Sequence, residues 1–504
     1  MKKIVLIPLD ERPCNARFPT MMPGGRYHTV VPPLSLLGKK KAPADVGALE
    51  RWLRAQAEDA DYLILSLDMM LYGGIVPSRL HRLSEEEIDA RMSFLEGLKK
   101  RNSHLRIYAF QLIMRCPSYS SSDEEPDYYE QWGAQIHLLG KYEHLLQLGK
   151  LSEEEKGDRL RLLSEIPQEA LSDFLGRRKK NLAALMRSLE YVKSGAIDFF
   201  VVPQDDAAVY GYTSMDQMTV RRYIKENFLH RKIMMYPSAD DTGMTLLARA
   251  VNDLYGKRPK IFVRYASAKG AFVIPSFEDR MIDETLNYQI MASGGVRTDS
   301  AEECDIYFAV NIGSGMYPEN PDIVTCYDIE RNLAMFLENI EDALGQGKTV
   351  ALADVARANG GDCELIGLLS ASGLLLRIHA YAGWNTSSNT IGTVICQSAL
   401  LWQGGDVPAN RKFLLHRYVE DVAYCSHTRA YVTEHCLPAL GLNYFHADGQ
   451  NGRAAECVRE ELLRYLQNFL PEVYEEIEDL SVTLPWARMF EADIRLQCRN
   501  EQNG

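Results

Sequence analysis

The order of apolar runs predicts an α/β fold on a parallel sheet, arranged as a (β/α)8 TIM-barrel-like domain with a helical insertion and a helical C-terminal cap. Two observations predict it. Buried-type strands alternate with helical stretches along the chain, the pattern of βαβ units. Nearly every strand then runs out into a polar residue, and parallel α/β folds carry their sites at the carboxyl ends of strands. Eight strands, starting near 4, 62, 107, 199, 233, 306, 350 and 375, make up the barrel; a ninth, Ile261 to Tyr265, is set aside. The runner-up is a pair of tandem doubly wound domains divided near Gly256.

The first strand, Ile4 to Ile7, opens into Leu9-Asp10-Glu11-Arg12-Pro13-Cys14-Asn15. A helix over 44–59 leads to the strand Tyr62 to Leu67, which ends at Asp68 and continues into Leu71-Tyr72-Gly73-Gly74 and Arg79. The two glycines permit positive φ or close backbone approach. Ser84 and Glu87 have capping-box spacing at the head of a helix over 84–101. The third strand, Arg106 to Ile113, ends near Arg115. Residues 117–130 read as a polar loop, and helices continue to Ser194, so 117–194 is the insertion. Phe199 to Val202 is a buried strand stopped near Pro203, which has no N–H for the ladder. Asp205-Asp206 and Val209-Tyr210-Gly211-Tyr212 follow. Ile233 to Tyr236 ends in a second pair, Asp240-Asp241. Asp305 to Val310 ends at Asn311, Val350 to Ala353 at Asp354, and Leu374 to Ala380 opens into Tyr381-Ala382-Gly383-Trp384-Asn385-Thr386. Residues 405–480 read as helical, and Trp486 and Phe490 dock the tail back. The expected domains are a barrel-like catalytic region, 1–404, and a mainly helical region, 405–504.

Hydrophobic content of 46% and charged content of 25% describe an ordinary globular chain of 504 residues. A net charge of −13 argues against a nucleic-acid surface. No apolar run approaches the roughly 20 residues of a membrane span, and the start lacks a signal-peptide pattern. The expectation is a cytoplasmic protein with neither a nucleic-acid nor a membrane partner. Its ten cysteines, Cys326 among them, form no CxxC pair and read as free thiols.

The Asp205-Asp206 pair carries the chemistry. Neighbouring carboxyls oppose each other's ionisation, so one keeps a proton near neutral pH and can act as a general acid. An isolated Asp-Asp pair more often caps a helix or binds a loop amide; recurrence at several strand ends favours a site. The catalytic candidates are Asp205, Asp206 and Asp240. The substrate-binding candidates are Asp10, Glu11, Arg12, Asn15, Asp68, Tyr72, Arg79, Tyr210, Asp241, Asn311, Asp354, Trp384 and Asn385. The tyrosines and Trp384 suit stacking on sugar rings, although ordinary core packing explains each one alone.

Pro8-Leu9-Asp10-Glu11-Arg12-Pro13, Tyr72-Gly73-Gly74 with Arg79, Pro203-Gln204-Asp205-Asp206, Asp240-Asp241 and Gly383-Trp384-Asn385-Thr386 together resemble the bacterial family catalogued as domain of unknown function 4127. That resemblance runs through Leu484-Pro485-Trp486 and implies no activity. Locally, Asp205-Asp206 is similar to the pair after the fourth barrel strand of substrate-assisted β-N-acetylglucosaminidases of the O-GlcNAc hydrolase type. This similarity implies that Asp205 orients a substrate acetamido group and Asp206 is the acid/base.

The function expected is a glycoside hydrolase acting on a small sugar conjugate or oligosaccharide, with no cofactor and no bound metal. The alternatives are a divalent-metal hydrolase on Asp10, Asp68, Asp240, Asp241 and Asp354, and a non-catalytic sugar-binding protein. No P-loop, dinucleotide fingerprint, GxSxG elbow or HExxH spacing occurs.

Overall fold

The computed structural model describes residues 1–317 and 328–499, and its parallel strands form two separate sheets. Cys326 lies outside the described residues; the nine other cysteines are free thiols. In the first sheet, β1 (Lys2–Ile7), β2 (Tyr27–Val30), β3 (Tyr62–Ser66), β4 (Arg106–Phe110), β5 (Phe199–Gln204) and β6 (Ile233–Pro237) lie in the order β2-β1-β3-β4-β5-β6. In the second, β7 (Lys260–Tyr265), β8 (Val296–Thr298), β9 (Ile306–Asn311), β10 (Thr349–Asp354) and β11 (Ala380–Ala382) lie in the order β11-β10-β9-β7-β8. Counted from its own first strand, each sheet begins 2-1-3-4-5, a doubly wound order with its switch point beside the first strand.

The expected closed barrel is therefore corrected: among the described residues, both sheets are open. The strand at 261 that was set aside is β7, which pairs with both β8 and β9. Alternating β and α segments read the same in either architecture; strand pairing separates them. The strand expected at 374–380 is also corrected. Leu375–Arg377 is a short 3₁₀ turn, and β11 starts only at Ala380. Short apolar runs do not distinguish such turns from strands.

Two compact units contain these sheets: residues 1–11, 27–243 and 277–280 in unit 1, and 12–26, 244–276 and 281–504 in unit 2. This division differs from the expected boundary at 404. The helices after 405 share an apolar core with the second sheet, in which Tyr307, Val350 and Leu352 join Leu414, Tyr418, Val422 and Leu462.

In unit 1 the strand cores are fully buried, as at Ile4 to Ile7 and Phe200 to Val202. The insertion consists of helices Tyr129–Gln147, Glu153–Glu165 and Gln168–Lys193. It holds a core of its own around Tyr129, Ile136, Phe174 and Tyr212. Ser84 and Glu87 form the capping box read from the sequence. In unit 2 the segment read as helical is Val407–Arg417, a π-helix at Tyr418–Thr428, then Arg429–His435 and Arg453–Phe469. The 405–480 reading fails at its end. Ile477–Thr483 is a strand, β12, paired antiparallel with β13, Asp493–Cys498. Buried Leu480 and Val482 against Ile494, Leu496 and Cys498 keep the two-residue period of a one-faced sheet, and a register shift between Ile477 and Asp479 lets Ile477 be buried as well.

Candidate active site of unit 1 and the cavity of unit 2

The carboxyl edge of the first sheet carries a dense cluster of charges. Arg79 follows the short helix Ile75–Ser78. The turn before it needs both glycines: Gly73 and Gly74 have φ of 88° and 135°, and a Cβ on Gly73 would meet the Ala44 backbone nitrogen at 2.6 Å. Arg115 leaves the end of β4, Glu124 and Glu125 come from the loop before the helical insertion, and Asp205 and Asp206 follow β5. Arg79 donates to Asp205 at 2.8 Å, to Glu124 at 3.0 Å and to Glu125 at 3.3 Å. Arg115 donates to Glu125 at 2.7 Å, to Glu124 at 3.1 Å and to Asp206 at 3.2 Å, and one of its nitrogens stands 3.7 Å from Asp205. Two guanidinium groups thus knit four carboxyl groups together, with Glu125 at the buried base.

Burial first, then the neighbouring Asp205, pushes the Asp206 carboxyl up to about 6, against the pull of Arg115 and Arg79. Asp206 also sits in the left-handed region at φ 47°, which Asp tolerates better than most residues. The two adjacent aspartates therefore meet different surroundings: Asp205 is gripped by Arg79, and Asp206 holds its proton toward neutral pH.

The other candidates of unit 1 are spread along the same edge. Asp10 follows β1 and is buried. The Glu11 carboxylate accepts the Lys40 N–H at 2.7 Å. Asp68 accepts the Leu112 N–H at 2.9 Å, and burial pushes its carboxyl up to about 7. Tyr72 is buried and stacked on His81, their ring centres 4.5 Å apart. Tyr210 stands edge-on to His144. Asp241 accepts from the Ser238 hydroxyl at 2.6 Å beside the start of helix Thr242–Tyr255, the ordinary local role weighed for such pairs. Asp240 is buried beyond the end of β6, the strand next to β5. Successive strands stand about 4.8 Å apart, so an open sheet sets these residues in a row, where a barrel would have gathered them in a ring.

Arg12, Asn15, Asn311, Asp354, Trp384 and Asn385 belong to unit 2. Asn15 is buried in the short helix Pro13–Ala16. Asn311 donates to Asp354 at 2.8 Å and to Asp362 at 3.2 Å. Asp354 also accepts the Asp362 N–H at 2.7 Å and the Tyr381 hydroxyl at 3.0 Å, and Arg331 pairs with Asp362. Burial, then Asp362, pushes Asp354 up to about 7. These two predicted binding residues are buried structural partners that tie the ends of β9 and β10 to the loop before helix Cys363–Ala371.

Arg12, Trp384 and Asn385 do converge. They line a narrow cavity together with Asn359, Glu420, Tyr424, Arg429, Phe490 and Glu491. The sequence reading missed Arg115, Glu124 and Glu125 in the first cluster and Asn359, Glu420 and Arg429 in the second. A paired Glu-Glu in a polar loop facing a paired Asp-Asp was the one legible signal; the π-helix has no such signature. Among the described residues, no group of three or more His, Cys, Asp and Glu side chains is gathered as a metal site, and no helix is long and apolar enough to cross a membrane.

A family model described as "Protein of unknown function (DUF4127)" matches residues 4–495. No curated protein matches the chain.

Proposed function

The chain belongs to the DUF4127 family, whose description assigns no chemistry, and from its own residues we propose that it is a hydrolase of small glycosides with Asp206 as the general acid/base. The observation that carries this reading is the asymmetric Asp205-Asp206 pair: adjacent carboxyls at a strand end, one gripped by Arg79 at 2.8 Å, the other raised to about 6. Glycoside hydrolysis asks for an acid that still holds its proton near neutral pH.

Both carboxyls come from one turn and share Arg115. Paired carboxyls that work from opposite faces of a sugar ring stand about 5–9.5 Å apart with the scissile bond between them. The reading is therefore the substrate-assisted one. Asp206 donates its proton to the glycosidic oxygen as the bond to the anomeric carbon breaks. The oxygen of a 2-acetamido group attacks that carbon from within the substrate, and Asp205 accepts the acetamido N–H. Water then opens the cyclic intermediate, with Asp206 taking back a proton. We assign the reaction to the cytoplasm, which the free thiols favour.

The test is a panel of aryl glycosides, with and without the 2-acetamido group, against wild type, Asp205→Asn and Asp206→Asn. Acid catalysis contributes about 10²–10⁴-fold, so Asp206→Asn loses most rate on poor leaving groups and little on nitrophenolates. Asp205→Asn slows every substrate. Equal cleavage of 2-hydroxy and 2-acetamido sugars would rule out substrate assistance, and no cleavage by the wild type would rule out the hydrolase reading.

A further inference from the structure

We propose that Cys436 and Cys457 are a redox-responsive pair, which a small-molecule disulfide such as oxidised glutathione closes into a reversible bond between two helices of unit 2. Both cysteines are partly buried free thiols. They lie within hydrogen-bonding contact of each other. Other thiols face oxygen atoms: Cys116 stands 3.6 Å from the Tyr129 hydroxyl, Cys363 stands 3.7 Å from the Tyr465 hydroxyl, and Cys304 donates to the Ala301 carbonyl at 3.1 Å.

Helix packing puts the two sulfurs together. Helix Arg429–His435 continues the π-helix and has Cys436 at its end, where the Cys436 N–H donates to the Val432 carbonyl at 2.9 Å. Cys457 lies near the start of helix Arg453–Phe469. Farther along the same contact, His427 stacks on Tyr465, their ring centres 4.6 Å apart, and stands 2.9 Å from Glu461. The Arg464 guanidinium lies 4.7 Å from the Tyr431 ring centre. Val432 and Leu437 share an apolar core with Ala454, Val458 and Leu462. The partner thus moves from Tyr465 and Glu461 at His427 to Cys457 at Cys436. The helices run past each other in opposite senses, and their common core holds the thiols side by side.

The exchange takes two steps. The Cys436 thiolate attacks one sulfur of oxidised glutathione, whose S–S bond breaks and releases one glutathione thiolate. The Cys457 thiolate then attacks the Cys436 sulfur of the mixed disulfide, and the second glutathione leaves. The protons of the two cysteines end on the two glutathiones. Burial first, then Cys436, holds the Cys457 thiol above its ordinary range. That suits the second, intramolecular step, where proximity offsets a low thiolate fraction. A reducing compartment keeps such a pair open, and disulfides formed there are transient. Closure ties the neck of the segment 437–456. This segment is stitched to the chain before Phe490: the Tyr444 carbonyl accepts the Met489 N–H at 2.8 Å, the Ala447 N–H donates to the Ala487 carbonyl at 2.8 Å, and the Gln450 carbonyl accepts the Leu484 N–H at 2.9 Å. Phe490 and Glu491 line the narrow cavity, so the bond braces one of its walls. The proposal stands apart from the Asp205-Asp206 reading, because it needs no turnover.

The test equilibrates the intact protein with glutathione of rising oxidised fraction, blocks the remaining thiols with iodoacetamide and maps the peptides by mass spectrometry. Wild type is expected to lose two free thiols per chain and to yield one peptide pair joined through Cys436 and Cys457; dithiothreitol restores both thiols. The oxidised form is expected to melt several degrees higher, because the closed loop restricts the unfolded chain. Cys436→Ser and Cys457→Ser, each confirmed as folded by circular dichroism, are expected to lose both the cross-link and the gain in melting temperature, while Cys363→Ser keeps them. The proposal is overturned if Cys436 and Cys457 stay open to alkylation at every glutathione ratio, if they end as mixed glutathione adducts, or if the linked peptides join other cysteines. A melting temperature that falls on oxidation also overturns it, since the bond would then form only by distorting the helix pair.

Discussion

At the scale of single residues, Asp206 is defined by opposing neighbours. Burial and Asp205 raise its carboxyl to about 6, while Arg115 and Arg79 pull it down. A general acid works only while protonated, so kcat/KM is expected to fall as pH rises through about 6. The two neighbours give signed tests. Arg115→Gln removes a cation and moves that limb to higher pH. Asp205→Asn removes a like charge and moves it to lower pH. Rate–pH profiles of the three proteins check this, and shifts in the same direction in both variants would assign the limb to another group.

Among the elements, the loops after β10 and β11 are tightly constrained. A Cβ on Gly361 would meet the Tyr381 hydroxyl at 2.3 Å and an Asp354 oxygen at 3.3 Å; one on Gly383 would meet the same hydroxyl at 2.8 Å and the Gly361 Cα at 3.0 Å. Tyr381 is fully buried and its hydroxyl donates to Asp354, so it has no room to yield. Gly361→Ala is expected to cost about 1–3 kcal/mol, the range for overpacking. Chemical denaturation measures it. Tyr381→Phe relieves the clash at the hydroxyl, so in that background the Gly361→Ala penalty should shrink, a coupling that a double-mutant cycle reads directly. Additive penalties would mean that the loop is held by other contacts.

For the molecule as a whole, buried carboxyls set the pH response of stability. Asp68, Asp354 and Asp421 are each pushed up to about 7, with burial the largest cause. An unfolded aspartate loses its proton near 3.9. The stability these groups contribute is thus fully present below about pH 4 and is lost as pH rises toward 7. Asp68 offers the cleanest test, because an asparagine oxygen can still accept the Leu112 N–H. Asp68→Asn is expected to be more stable than wild type at pH 8, by an amount on the order of 2–4 kcal/mol, with the gap closing toward pH 4. Melting temperatures across that range check it, and a gap independent of pH would locate the effect in packing.

The sequence by itself determined most of the local structure: the strand cores, the Ser84 capping box, the Gly73-Gly74 turn and the Asp205-Asp206 pair at a strand end. Each depends on residues within a few positions of one another, so periodicity and turn chemistry expose it. Tertiary structure alone decided the rest. Whether β6 continues into a ring or ends a sheet is a matter of which strands pair, and parallel pairing leaves no mark on either strand's own sequence. The site shows the same limit. Asp205 and Asp206 were legible, but Arg115 reaches Asp206 across 91 positions of chain and Arg79 reaches Asp205 across 126, through contacts that a local pattern does not record. The motif from Asp10 to Asn15 shows it most plainly. Its residues are adjacent in sequence, yet Asp10 and Glu11 fold with unit 1 while Arg12 and Asn15 fold with unit 2. Adjacency in a chain fixes bond lengths and turns; membership of a core is fixed by what the side chains are buried against.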